Sequence, residues 1–136
     1  MKNLWMAFAA LVLLYLMAPA FAAQKPAPEP SVPKYDPAAE AVFKGIVVEV
    51  KDHECPVSGG MGAHVILKLA DESTIEVHLS TTKWVKDYNL TLNKGDAIEV
   101  TGVKVKFQGV DTLFAREVKR GNDVFVFRYE NGKPAW

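Results

Sequence analysis

Cysteine is scarce in this 136-residue chain, in which Cys55 is the single example. One cysteine excludes an internal disulfide and the zinc sites that need paired thiolates. The chain has no Cys-x-x-Cys-His sequence, which excludes covalently attached c-type haem. Charge of one sign is also lacking, because Lys and Arg number 16 and Asp and Glu number 16. A general polyanion-binding protein is therefore not indicated, and the length allows one domain of ordinary size.

The long hydrophobic run of this chain lies at its start, from Leu4 to Met17. It follows the basic start Met1-Lys2-Asn3 and leads into small residues, which is the three-part layout of a secretory signal peptide. We expect cleavage after Ala22 or Ala23, so that residues 1–23 are the signal peptide and the protein is periplasmic or secreted. The alternative is an uncleaved membrane anchor, because Leu4 to Ala22 reaches the roughly 17–20 residues that can span a bilayer.

Residues 24–37 read QKPAPEPSVPKYDP and contain five prolines with few apolar side chains. This composition favours extended conformations without a core and predicts a flexible linker. In the alternative, the part around Val32 or Tyr35 packs along the domain as an irregular strap. The domain itself is predicted over residues 38–136.

Short runs of alternating apolar and polar residues follow the linker, as half-buried strands require. Two such runs have these apolar positions: Val65, Leu67 and Leu69, then Ile75, Val77 and Leu79. A three-residue loop over residues 71–73 keeps both apolar sets on one face and pairs Leu67 with Val77. The same register sets Lys68 opposite Glu76 as a favourable cross-strand pair.

The remaining pattern predicts four more strands and one helix. A short helix is expected between Ser80 and Tyr88, because hydroxyl residues precede apolar residues at helical spacing. The apolar phase changes at Gly102, as in a strand that bends at a bulge to close a barrel. The other strands are expected near residues 42–51, 96–107, 112–118 and 124–129. This order predicts an all-β, OB-type barrel with one short helix between strands 3 and 4; an antiparallel sandwich is the alternative.

Four segments carry a resemblance to a known family: VHLS over 77–80, LNKGDAIEVTG over 92–102, LFAREVKRG over 113–121 and FRYENGKPAW over 127–136. The chain resembles small exported bacterial OB-type domains, notably the magnetosome MamS/MamX-type domain and more loosely the stress-induced BOF family. MamX-type members carry Cys-x-x-Cys-His haem motifs that are absent here, so the electron-transfer role of that branch is not implied. The resemblance implies an exported, non-enzymatic binding or accessory domain, whose partner is an envelope protein or a small ligand.

Imidazole and sulfur side chains occur close together along the sequence, at His53, Cys55, Met61, His64 and His78. An exported domain with such a set can bind copper or zinc, because these metals prefer nitrogen and sulfur ligands. In the predicted register His64 and His78 are diagonal neighbours on the outer face of the hairpin, with Cβ atoms about 7 Å apart. His53 is expected on a loop with Cys55. The alternative is that both strand histidines are ordinary solvated or hydrogen-bonded residues and no cofactor is bound.

Catalytic motifs are missing from the sequence. There is no Gly-x-Ser-x-Gly elbow, and the glycine-rich loop at 58–62 lacks the pattern that cradles phosphate. We therefore expect no enzymatic activity. Aromatic and basic residues interleave between Lys104 and Tyr129, which on a cytoplasmic OB barrel indicates single-stranded nucleic acid. Export counts against that function, and the alternative is that the aromatic side chains fill the barrel.

Overall fold

The computed structural model describes Ala23, Lys25, Pro26 and residues 31–136. Almost all of the predicted signal peptide and part of the predicted linker lie outside the described residues. Among the residues that are described, no helix is long and apolar enough to cross a membrane. Tyr35, inside the predicted linker, is buried against Val103 and Phe114, so the packed part of the chain begins before residue 38.

The described residues form six strands and one short α-helix, with a single turn of 3₁₀ helix, Pro37–Ala39, ahead of them. The helix is capped at its start by the Thr81 hydroxyl, which accepts from the backbone N–H of Trp84 at 3.1 Å. The bounds in chain order are β1 Ala41–Cys55, β2 Gly60–Leu69, β3 Thr74–Thr81, α1 Thr82–Asp87, β4 Ala97–Phe107, β5 Val110–Arg120 and β6 Asp123–Val126.

The strands close into a barrel. Their order in the sheet is β3-β2-β1-β4-β5-β6, with antiparallel neighbours, and β3 also pairs in parallel with β5 from Glu76↔Thr112 to His78↔Phe114. This closure, with α1 between β3 and β4, confirms the OB-type prediction over the sandwich alternative. The interior is filled by inward-facing apolar side chains from all six strands, among them Val47, Val65, Leu67, Val77, Val100, Leu113, Val118 and Phe125.

The predicted register of the β2–β3 hairpin is wrong by two residues. Leu67 pairs with Ile75 and not with Val77. The turn closes one residue earlier than expected, because Glu72 takes a left-handed conformation with φ 67° and the N–H of Leu69 bonds to the carbonyl of Ser73 at 2.8 Å. A turn ending in a left-handed residue is a usual three-residue hairpin loop. A shift of two leaves the same residues facing inward, so the apolar pattern alone cannot distinguish the two registers.

The shifted register also corrects the predicted ion pair. Lys68 faces Thr74 across the hairpin, and its ammonium lies 3.5 Å from the carboxylate of Glu72 in the turn. Glu76 instead contacts His53 on β1.

The predicted bulge at Gly102 is confirmed by a register shift between Thr101 and Gly102 in the β4–β5 pairing. Glycine is needed here because of the space, since Gly102 is not among the glycines with positive φ. A Cβ at this position would lie 2.2 Å from the carbonyl oxygen of Phe114, so the neighbouring backbone approaches too closely for any side chain.

Candidate metal centre

His64 and His78 are direct cross-strand partners on β2 and β3, not the diagonal neighbours that the sequence analysis predicts. Their ring centroids lie 4.9 Å apart, edge to face. They are also buried, with 3% and 1% of their surfaces exposed, which corrects the expectation of solvated strand residues. The two-residue register difference accounts for this pairing, and the bulge between Ala63 and His64 shifts the register only beyond it.

Aromatic side chains from distant parts of the chain flank this outer face of the hairpin. The ring of His78 lies 5.8 Å from that of Phe114 and 5.7 Å from that of Trp136. The buried guanidinium of Arg128 stands 4.9 Å from the Trp136 ring and 5.0 Å from the Tyr35 ring. Cation–π contacts of this kind hold the C-terminal segment and the N-terminal strap against the barrel and keep water from the histidines.

His53 and Cys55 lie on the last residues of β1, which extends further than predicted, so His53 is a strand residue and not a loop residue. The His53 ring stacks on the His64 ring with centroids 3.9 Å apart and planes 10° apart. Cys55 is buried, with 5% of its surface exposed. Met61 faces Glu54 across the strands and is 46% exposed, and it is not among the residues that the fold brings together here.

The donor atoms form two groups that share His64. In the inner site, Cys55, His64 and His78 each offer one ligand atom, and these atoms lie within 4.8 Å of one another. In the outer site, His53, His64 and Glu76 do the same. Sequence reasoning did not single out Glu76, although strand alternation places it on the same face as His78 two residues later.

Hydrogen bonds define which lone pairs are free. His64 Nδ1 donates to the carbonyl of Gly62 at 3.0 Å, which leaves Nε2 as the acceptor of the neutral ring. Ser58 Oγ lies 2.8 Å from His78 Nε2 and 3.4 Å from the carbonyl of Ser80, to which it can donate. In the tautomer in which Nε2 donates to Ser58, the free lone pair of His78 is on Nδ1, a buried atom with no hydrogen-bond partner among the described residues.

The protonation of the three rings follows from their surroundings. Burial and the neighbouring His53 lower the pKa of His64 to about 4. Burial and the nearby charges of His64 and Arg128 lower the pKa of His78 to about 3. His53 behaves oppositely, because hydrogen bonds to the carbonyl of Glu54 and to the carboxylate of Glu76, at 2.7 Å, raise its pKa. Near neutral pH the two buried rings are therefore neutral, which is the form that binds metals.

A cavity of about 160 Å³ opens beside these groups. Its polar lining includes His53, Cys55, His64, Glu76 and His78, and its other walls are mainly apolar. The apolar lining is contributed chiefly by Val57, Phe107, Val110 and Phe114. This space is enough for an ion and a small additional ligand, given that a water molecule occupies about 30 Å³.

Several aromatic and basic residues of the C-terminal third contribute to the fold. Phe114 and Phe127 are 1% and 0% exposed and cannot stack on bases. Arg116 binds the carboxylate of Glu40 through two nitrogens, at 2.6 and 3.3 Å, and Arg120 contacts Asp96 at 3.1 Å. These four side chains are therefore engaged within the barrel.

Fold and site together define an OB-type domain with a buried cysteine–histidine cluster on its outer face. The sequence model of the MamS/MamX magnetosome protein family matches residues 40–125, which is more than half of the chain. The chain belongs to the MamS/MamX magnetosome protein family. A comparison with curated proteins gave no match.

Among solved structures, the chain is similar to the N-terminal domain of PriB from Thermoanaerobacter tencongensis, described as dimeric. The sequence identity is 15%, the TM-score is 0.46, and the match covers 63% of this chain and 99% of that one.

Proposed function

We propose that this chain is a non-catalytic OB-fold binding protein of the bacterial envelope, and that its ligand is a transition-metal ion, copper(I) or zinc(II). The ion is held at the inner site by Cys55, His64 and His78. The observation that carries this proposal is the convergence of one sulfur and two imidazole donors within 4.8 Å of one another, all three side chains being buried.

The donor set argues for this class of metal. Thiolate and imidazole ligands suit copper(I) and zinc(II), whereas calcium and magnesium take oxygen ligands. Three protein ligands leave a fourth coordination position for a further ligand, and the cavity that all three line offers space for it. Near neutral pH the two buried rings are already in the neutral form that binds metals, so neither has to lose a proton. The Cys55 thiol is the one ligand that must lose a proton when the ion binds.

The unpartnered Nδ1 atom of His78 also supports a metal ion as the ligand. A buried polar atom without a partner costs about 1–3 kcal/mol, and Nδ1 of His78 is such an atom among the described residues. A bound ion would supply the missing partner. Ser58 would then hold the other nitrogen and fix the ring orientation, as groups behind metal-bound histidines usually do.

The envelope assignment is supported by the signal-like first 23 residues and by the membership in a magnetosome protein family. A protein that carries a metal without catalysis passes it to, or receives it from, another molecule. An envelope protein or a small chelating ligand is the partner that we propose.

The test is a metal titration of purified protein that has been stripped with a chelator under anaerobic conditions. We expect one copper(I) or zinc(II) per chain in competition with a coloured chelator, and a thiolate-to-metal charge-transfer band when cobalt(II) replaces zinc. Cys55→Ser and His64→Ala should each weaken binding by at least about 100-fold, because each removes a ligand. Met61→Ala is the matched control and should bind as the wild type does. Equal binding by all four proteins, or none by the wild type, would contradict the proposal.

A further inference from the structure

The inner and outer sites differ in their access to solvent. In the outer site the side chains of His53 and Glu76 are 43% and 30% exposed. In the inner site Cys55 and His78 are 5% and 1% exposed. His64, 3% exposed, lies between them, with its ring stacked on that of His53 and edge-to-face with that of His78. His53 and Glu76 are therefore open to solvent, whereas His64, Cys55 and His78 are all buried.

The two sites cannot be filled at once. His64 has one free lone pair, on Nε2, because its Nδ1 is engaged with the carbonyl of Gly62. His64 belongs to both donor groups, and with Nδ1 donating to Gly62 its neutral ring can offer only Nε2 to either of them. An ion held by His53, His64 and Glu76 must therefore leave the outer site before Cys55 and His78 can hold an ion together with His64.

The donor atoms of the two sites favour movement of an ion from the outer site to the inner site. The outer site offers one carboxylate and two imidazoles, a donor set that binds borderline metals. The inner site offers a thiolate with its two imidazoles, and copper(I) and zinc(II) prefer the thiolate. The negative Glu76 lies on the exposed side, where it attracts a cation from solution.

We propose that the two sites form a loading path, in which Glu76 and His53 capture the ion with His64, and His64 then transfers it to Cys55 and His78. This inference rests on the proposed metal-binding function. Capture displaces the proton that His53 shares with Glu76, and transfer displaces the thiol proton of Cys55. His53 regains a proton from water when the ion moves on. The metal keeps its oxidation state throughout.

The path is tested by separating the rate of loading from the affinity. Zinc(II) is mixed by stopped flow with metal-free full-length protein, and the association rate is compared with the equilibrium affinity measured by chelator competition. Glu76→Gln should slow association about tenfold or more, because it removes the capturing charge. Its equilibrium affinity should stay within about threefold of the wild type, since Glu76 does not hold the final ion. Cys55→Ser should show the opposite pattern, with low affinity and a nearly unchanged capture rate.

Glu72→Gln is the matched control, because Glu72 carries the same charge on the same hairpin and its side chain is 80% exposed. It should load at the wild-type rate. Equal rates for Glu76→Gln and Glu72→Gln would overturn the loading path while leaving the inner site intact. A loss of affinity in Glu76→Gln as large as that in Cys55→Ser would also overturn it, because Glu76 would then be a ligand of the final site. Failure of the wild type to bind zinc(II), copper(I) or cobalt(II) would remove the proposed function itself.

Discussion

Acidification should destabilise the metal-free protein at a higher pH than carboxylate titration alone would explain. His64 and His78 have folded pKa values of about 4 and about 3, below the ordinary value of 6.5, because both rings are buried beside other cationic groups. As the pH falls, the unfolded chain therefore binds a proton at each of these histidines before the folded protein does. A histidine whose pKa is lowered by folding leaves the stability undiminished above pH 6.5. That stability is lost as the pH falls from 6.5 toward the pKa of the folded state.

The magnitude follows from the width of that window. At about pH 4.5, two units below the unfolded value, each buried histidine lowers the free energy of unfolding by about 3 kcal/mol. Two such losses approach the whole stability of a typical domain, about 5–15 kcal/mol. His53 offsets part of the loss, because its raised pKa adds stability that is present at acid pH and lost as the pH rises.

Urea unfolding followed by circular dichroism between about pH 7.5 and about pH 4.5 measures this loss. The His64→Gln and His78→Gln double variant should lose less stability over the same range. Proton NMR of the three histidines gives an independent check: two ring signals should not titrate in the folded protein above about pH 5. Titration of all three near their ordinary pKa would refute the burial argument.

Three further predictions concern the barrel, the metal and the N-terminus. Gly102→Val should lower the melting temperature by at least roughly 5 °C, because a backbone carbonyl occupies the place of the new Cβ. Thr101→Val is the control and should be tolerated. Equal melting temperatures for the two variants would show that no close approach exists at Gly102. Ser58→Ala should weaken metal binding about 10–100-fold in chelator competition through loss of the hydrogen bond behind one ligand, and an unchanged affinity would mean that Ser58 does not orient the ring. Mass spectrometry of the exported protein should find cleavage after Ala22 or Ala23, and an intact start in membrane fractions would indicate an anchored protein.

Much of the barrel could be predicted from the sequence because its signals are local. Alternation with a period of two identifies the strands, and the phase change at Gly102 identifies the bulge. The hairpin register was missed because a shift of two residues keeps Leu67 and Val77 facing inward. Only the left-handed conformation of Glu72 distinguishes the two registers, and a glutamate gives little sign of it.

The candidate site could be predicted only in part. Proximity along the chain identified the histidines and Cys55, but alternation assigned His64 and His78 to the solvated face. The burial of His78 depends on residues far away in sequence, such as Phe114 and Trp136, and no local pattern reports such contacts. Met61 was included for its chemistry alone, and its place opposite Glu54 separates it from the other donors.

The most direct test of the inner site is X-ray absorption spectroscopy of the protein loaded with one equivalent of zinc. A site formed by Cys55, His64 and His78 should give one sulfur ligand at about 2.3 Å and two imidazole nitrogens at about 2.0 Å. A zinc shell of nitrogen and oxygen without sulfur would contradict it.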